Sequence, residues 1–146
     1  MPQNDHRPLD DKLDELRRLQ EDMLQRVTEQ LEEASLALLE RDTERAAAVR
    51  ASDDEIDALE LHIDSLCERI LALHTPVAVD LRLILTAVKI NTDLERIGDH
   101  AKNIAESIVF LEEGKDIRHG GLEEEAAGFS GDLGGKIPPT SKLPGK

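Results

Sequence analysis

Apolar residues recur every three or four positions between residues 9 and 113, which is the spacing of helices that bury one stripe of side chains. Polar breaks near residues 42 and 75 divide the pattern into three runs. The first run reads Leu9, Leu13, Leu16, Met23, Val27, Leu31, Ala34, Leu38. The third reads Leu83, Ala87, Ile90, Leu94, Ile97, Ala101, Ile104, Ile108, Leu111. The pattern predicts an all-α protein with helices over residues 9–41, 43–74 and 76–113.

Capping residues fix these boundaries. Asp42 or Thr43 can cap the second helix, because both side chains accept hydrogen bonds from free backbone N–H groups. Ser52 begins a possible capping box inside the second run, but the apolar phase continues across it, so we expect one continuous helix. Thr75 followed by Pro76 indicates the start of the third helix.

Three long helices joined by short loops predict an antiparallel three-helix bundle. Residues 1–8 precede the pattern and are expected to be a flexible N-terminus. Residues 114–146 hold eight of the nine glycines and no helical period, which is typical of a disordered Gly/Pro-rich tail. Gly114 would close the third helix. The sequence therefore predicts one domain over residues 9–113.

Composition agrees with helices and limits the possible partners. The chain is 39% hydrophobic, enough for one core, and Phe110 and Phe129 are its only aromatic residues. Its formal net charge is −14, so its surface should repel nucleic acid and anionic lipid. Cations and basic protein surfaces are the expected counterparts.

The only cysteine, Cys67, lies in an apolar helical pattern and is expected to be a small buried side chain. One cysteine forms no intrachain disulfide, which favours a reducing compartment. The N-terminus has no apolar signal-peptide core, and no run reaches the ~18 apolar residues of a membrane span. We expect a soluble, cytoplasmic protein without direct membrane insertion.

Acidic residues line one face of each of the last two predicted helices. On the second helix they are Asp53, Asp57, Glu60 and Asp64, at i, i+4, i+7 and i+11. On the third helix they are Glu95 and Asp99, followed by Asn103 at the same spacing. Two such rows on neighbouring helices supply oxygen ligands for a divalent cation. A solvated acidic face explains the same spacing, so both interpretations stay open.

Gly98 is the only glycine in the helical region and lies between the two carboxylates of the third helix. A mid-helix glycine costs about 1 kcal/mol relative to alanine, so either a ligand or a tightly packed helix must lie close to it. His100 follows Asp99 but points about 100° away on a helix, which favours a surface position.

Two segments of the third helix resemble the PhoU family: residues 76–84, PVAVDLRLI, and residues 89–106, KINTDLERIGDHAKNIAE. Residues 53–60, DDEIDALE, are similar to the family's second-helix motif. The resemblance covers about residues 9–119 and one three-helix repeat. It implies a non-enzymatic negative regulator of phosphate uptake that acts through the phosphate ABC transporter and its sensor histidine kinase.

The resemblance also implies a metal site. The family's metal-binding motifs correspond to Asp53 and Asp57 on the second helix and to Glu95 and Asp99 on the third. Glu60 and Asn103 match adjoining positions. The expected ions are iron, zinc, manganese or magnesium. Family members usually carry two such repeats, whereas this chain has one, and we therefore expect a homodimer that mimics the tandem form.

Two other functions fit parts of the sequence. A helical oligomerisation module without metal needs only the amphipathic helices and a solvated acidic face. A carboxylate-bridged metalloenzyme would need carboxylates and histidines together, but its Glu-x-x-His motif is absent. Phosphate-transporter genes beside the gene for this chain would favour the regulator.

Overall fold

The computed structural model describes residues 6–128, with side chains for residues 6–114. It contains three helices: α1 (Pro8–Glu40), α2 (Thr43–His74) and α3 (Ala78–Gly128). The described residues contain no strand, so the all-α prediction is confirmed. Residues 6–112 form one compact unit, and residues 113–128 belong to a second, for most of which the structure describes only the helical backbone.

The turn between α1 and α2 follows the sequence-based prediction. Asp42 is the N-cap of α2, and its carboxylate accepts a hydrogen bond from the N–H of Arg45 at 3.0 Å. Arg41, with φ 55°, ends α1 in the left-handed conformation. Helix α2 continues without a break through Ser52, whose hydroxyl donates to the carbonyl of Val49.

The predicted start of the third helix was wrong, and its helical backbone runs past the predicted end. Thr75 does not cap α3 but ends α2 in the left-handed conformation, with φ 43° and ψ 57°. Pro76 is buried in the connection, and α3 begins at Ala78. The helix then passes Gly114 and continues to Gly128, because residues 122–127, LEEEAA, are strong helix formers. The rest of the predicted tail, residues 129–146, lies outside the described part.

Contacts between the helices fix an up-down-up bundle. Helices α1 and α2 are antiparallel, since Arg26 bonds Glu55 while Arg45, earlier on α2, bonds Glu33, later on α1. Helices α2 and α3 are also antiparallel: the paired residues are Asp64 with Asn91, Asp53 with Lys102, and Arg50 with Glu106. Helices α1 and α3 are therefore parallel, and Gln20 donates to the carbonyl of Ala87.

The core forms two clusters along the bundle. The larger one contains long aliphatic side chains from all three helices, including Leu16, Met23, Ile63 and Ile84. Cys67 belongs to it, as expected, and burial raises the pKa of its thiol to about 11. The smaller cluster surrounds the α1–α2 turn and is built largely from alanines: Ala34, Ala37, Ala46, Ala101, Ala105. Small side chains let the helices approach closely at that end.

Part of the predicted apolar stripe is not buried. Leu31 and Leu38 on α1, and Ile90, Ile97 and Leu111 on α3, keep a substantial exposed fraction. A three-helix bundle covers only one sector of each helix, and a stripe this wide extends past the edge of that sector. Within residues 6–128, no helix is both long and apolar enough to cross a membrane.

Candidate metal centre

Three of the predicted ligands come together on the outer face between α2 and α3. Asp57 and Glu60 lie one turn apart on α2, and the antiparallel register places Glu95 of α3 beside them. One carboxylate oxygen from each residue lies within 4.8 Å of the other two. Asp57 is exposed, while Glu60 and Glu95 are half-buried. The group is therefore open to ions from solvent.

The carboxylates of this group repel one another. Burial, followed by the negative charge of Asp53, raises the pKa of Asp57 above its ordinary value. Burial also raises the pKa of Glu60, with Asp64 and Asp57 adding to the effect. Each of these shifts means that a negative charge is costly here. A bound cation would remove that cost.

Asp99 borders the group from the next turn of α3. Burial raises the pKa of Glu95, and a side-chain hydrogen bond with Asp99 together with the charge of Asp99 raises it further. The two residues are spaced i and i+4 on α3, so their carboxyl groups are close enough to influence each other. Asp99 is exposed, and its charge also acts on Asp57 and Glu60. It supplies a fourth oxygen-bearing side chain at the edge of the cluster.

Asp53 has a different environment from the other predicted ligands. Its side chain is only 2% exposed, and one carboxylate oxygen lies 2.8 Å from Nζ of Lys102 on α3. Its other oxygen accepts a hydrogen bond of 3.2 Å from the amide of Gln30 on α1. The three-carboxylate group does not include Asp53, because this side chain is turned inward toward Lys102 and Gln30.

Asn103 lies one turn beyond Asp99 on α3 and is exposed. It lines a shallow groove with Ser107, Phe110 and Leu111. His100 is exposed, as its helical phase predicts. Asn103 stays a predicted ligand.

Two buried amides that the sequence analysis did not select hold the site in place. Asn91 is 1% exposed and donates hydrogen bonds to the carbonyl of Glu60 at 3.1 Å and to the carboxylate of Asp64 at 2.8 Å. Gln30 holds Asp53 from the α1 side. Both are polar residues at positions where the helical spacing predicts apolar ones. This mismatch was the signal in the sequence that could have indicated a positioning role.

Gly98 is explained by helix packing. A Cβ atom at this position would lie 3.1 Å from Oε1 of Gln30 and 3.5 Å from Cγ2 of Ile56. Side chains of α1 and α2 therefore contact the α3 backbone between Glu95 and Asp99. Of the two interpretations left open by the sequence, the close contact of neighbouring helices accounts for the glycine.

The side chains present fit a hard or borderline cation. The ligand atoms on offer are all carboxylate oxygens, from Asp57, Glu60, Glu95 and Asp99. Such oxygens suit magnesium, manganese and iron better than they suit ions that prefer thiolates. The raised pKa values of Asp57, Glu60 and Glu95 reflect burial and the neighbouring negative charges, which the charge of Lys102 offsets only in part at Asp57. A cation bound between α2 and α3 would relieve the repulsion among these carboxylates.

Residues 20–108 match the PhoU domain family. This range contains all six predicted ligands, both buried amides and the α2–α3 contact that brings the carboxylates together.

Curated relatives agree with this match. The chain is 45% identical over 91 residues to a protein of Aquifex aeolicus named phosphate-specific transport system accessory protein PhoU homolog, with 62% of this chain and 41% of the relative covered. A protein of the same name from Pseudomonas putida is 46% identical over 93 residues, covering 63% of this chain and 36% of the relative. The match spans about two fifths of the length of these relatives.

Proposed function

This chain belongs to the PhoU family, and from that premise we propose that it regulates phosphate uptake through protein contacts and not through catalysis. The names of its relatives, which are accessory proteins of a phosphate-specific transport system, support this proposal. The proposed partners are the phosphate ABC transporter and its sensor histidine kinase. The chain would act from the cytoplasm and lower uptake when phosphate is plentiful.

The proposal includes a metal ion at the cluster of Asp57, Glu60 and Glu95, with Asp99 at its edge. The observation that carries it is the close approach of three carboxylate oxygens, all within 4.8 Å of one another. Iron, zinc, manganese and magnesium are the candidates, and the oxygen-only ligands favour the harder ions. Asn91 would position Glu60, because it bonds the backbone of that residue.

Two measurements test this function separately. Phosphate uptake should fall when the chain is expressed in a bacterium that lacks its own accessory protein and grows in high phosphate. Unchanged uptake would contradict the regulatory part. Purified, metal-free protein should bind manganese or magnesium in calorimetry, and the absence of binding heat for all four candidate ions would contradict the metal part.

We also propose that the chain is a homodimer. A single bundle of such long helices is thin, and the exposed apolar residues on α1 and α3 support a second layer of protein. The competing function, a helical oligomerisation module without metal, shares this feature. Metal binding by the purified chain separates the two.

A further inference from the structure

Charged side chains of α2 and α3 face one another in a row along the contact between the two helices. In the antiparallel register the facing pairs are Glu60 with Glu95, Asp57 with Asp99, Asp53 with Lys102, and Arg50 with Glu106. The first two pairs set carboxylate against carboxylate. The last two set a carboxylate against a cation that the chain itself provides. The row therefore changes from repulsive to attractive within one turn of each helix.

The third pair holds a buried carboxylate oxygen against a single cation. Nζ of Lys102 lies 2.8 Å from Oδ2 of Asp53, and the Asp53 side chain is 2% exposed. Oδ2 is shielded from solvent, and no other group among residues 6–114 donates a hydrogen bond to it. A buried anionic oxygen needs a compensating charge, and the ammonium group is the charge in place here. The lysine thus stands where a metal ion would stand in a carboxylate-bound site.

This ammonium group lies within the field of the candidate metal centre. Asp53 raises the pKa of Lys102 most, through a hydrogen bond and its charge, and the charges of Asp57 and Glu106 raise it further. Asp57 also belongs to the three-carboxylate group. Asp53 and Asp57 are spaced i and i+4 on α2, so their carboxylates are close enough to share one cation. The charge of Asp57 therefore acts on the lysine position and on the candidate centre alike.

A lysine in this position excludes a metal ion from it. A divalent cation such as calcium or magnesium contacts its oxygen ligands at about 2.0–2.6 Å. The ammonium group already occupies the space beside Oδ2 of Asp53 at 2.8 Å. Two cations at one buried oxygen would repel each other strongly. A metal ion can therefore reach this oxygen only after the lysine leaves.

We propose that Lys102 fills a second cation position, formed by Asp53 and Asp57 next to the candidate metal centre, and thereby limits the chain to one metal ion. This inference rests on the metal part of the proposed function and adds the residue that sets the number of ions. The ion that would enter in place of the lysine is a divalent cation that prefers oxygen, such as manganese. The competing interpretation is an ordinary ion pair between two helices, which leaves no metal position when the lysine is removed.

Lys102→Ala tests the proposal because it removes the ammonium group and leaves both carboxylates. Titration with manganese, followed by the electron paramagnetic resonance signal of the free ion, counts the ions bound per chain. We expect about one ion in wild type and about two in Lys102→Ala. Combining Lys102→Ala with Asp53→Asn leaves the same space without the buried charge. This double variant should return the count to about one.

Arg50→Ala is the matched control. It removes a cation from the neighbouring pair, in which the Glu106 side chain is 44% exposed. Because water compensates an exposed carboxylate, this variant should bind as many manganese ions as wild type. A second ion in Arg50→Ala as well as in Lys102→Ala would overturn the proposal, since the loss of any cation from the acidic surface would then be sufficient.

The count separates this inference from the proposed function. Equal counts in wild type and Lys102→Ala would overturn the inference and leave the metal site of wild type in place. A wild type without bound manganese, beside a Lys102→Ala chain that binds it, would support the inference and contradict the proposed metal site. Binding by neither chain would contradict both.

Folding provides a second measurement where Lys102→Ala is unfolded without metal. Manganese should then refold it, because a cation that binds only the folded chain stabilises that chain. The double variant with Asp53→Asn should fold equally well with and without manganese. A Lys102→Ala chain that manganese does not refold would overturn the inference.

Discussion

Nζ of Lys102 lies 2.8 Å from a carboxylate oxygen of Asp53, and the Asp53 side chain is 2% exposed. This contact joins α3 to α2 directly beside the candidate metal centre. The negative charge of Asp53 raises the pKa of Lys102 through a hydrogen bond and direct attraction. The lysine therefore supplies a positive charge beside a buried carboxylate.

Replacing Lys102 by methionine should lower the free energy of unfolding, because the buried Asp53 loses its charged partner. Adding Asp53→Asn should recover part of this loss, since the amide carries no charge to compensate. Chemical denaturation of the metal-free proteins measures both effects. Equal stability of wild type and Lys102→Met would show that water or other groups already compensate Asp53.

The same variant should bind metal more tightly. The charge of Lys102 lowers the pKa of Asp57, so its field reaches the candidate centre and repels a cation there. We expect manganese affinity of Lys102→Met to rise a few-fold in calorimetry while its metal-free stability falls. A simultaneous fall in affinity would indicate that Lys102 organises the metal site and does not compete with it.

Replacing Glu95 by glutamine and Asp99 by asparagine should abolish any metal-dependent rise in melting temperature. At a metal concentration one hundred times Kd, linkage stabilises the wild type by about 2.7 kcal/mol. The metal-free double variant should be as stable as wild type or slightly more stable, because a repulsive pair is removed. The control is Glu68→Gln with Asp93→Asn, which makes the same charge change at exposed positions. If wild type and the double variant gave identical metal titrations, Glu95 and Asp99 would be residues of a solvated acidic face and not metal ligands.

Stability of the metal-free chain should depend on pH through Glu95. Its pKa is raised in the folded state by burial and by Asp99, so the folded chain holds this proton more tightly than the unfolded chain does. The resulting contribution is present below the unfolded pKa and is lost as pH rises through the folded pKa. As the pH rises from 4, the melting temperature of Glu95→Gln should therefore increase relative to that of wild type. A difference that does not change with pH would contradict this.

Local patterns in the sequence predicted most of the fold. Apolar spacing predicted three helices. Asp42, one of the two predicted caps of α2, is its N-cap, because a side-chain acceptor directly before a helix can bond the free N–H groups of the first turn. Thr75 was misinterpreted because a threonine before a proline, which can cap the next helix, can also end the previous helix in the left-handed conformation. The exposure of Ile97 depends on how many helices surround α3, which a single-helix pattern does not encode.

The candidate site was predictable in its residues more than in its geometry. Helical spacing placed Asp57 and Glu60 on one face, and the structure brings Glu95 to them. The inward turn of Asp53 depends on Lys102 and Gln30, which come from two other helices. Such contacts follow from the register between helices, and the sequence of one helix does not specify that register.

Gly98 and Gly114 on α3 should respond in opposite ways to alanine. Gly98→Ala gains up to about 1 kcal/mol of helix propensity, but its Cβ would lie 3.1 Å from Oε1 of Gln30, whose amide is held by Asp53. Moving Gln30 would weaken that bond, so we expect a net loss of about 1 kcal/mol. A Cβ atom at Gly114 would have no neighbouring atom within 4 Å, so Gly114→Ala should gain stability from helix propensity alone. Urea denaturation of both variants measures the difference, and a stabilised Gly98→Ala would show that Gln30 can move without cost.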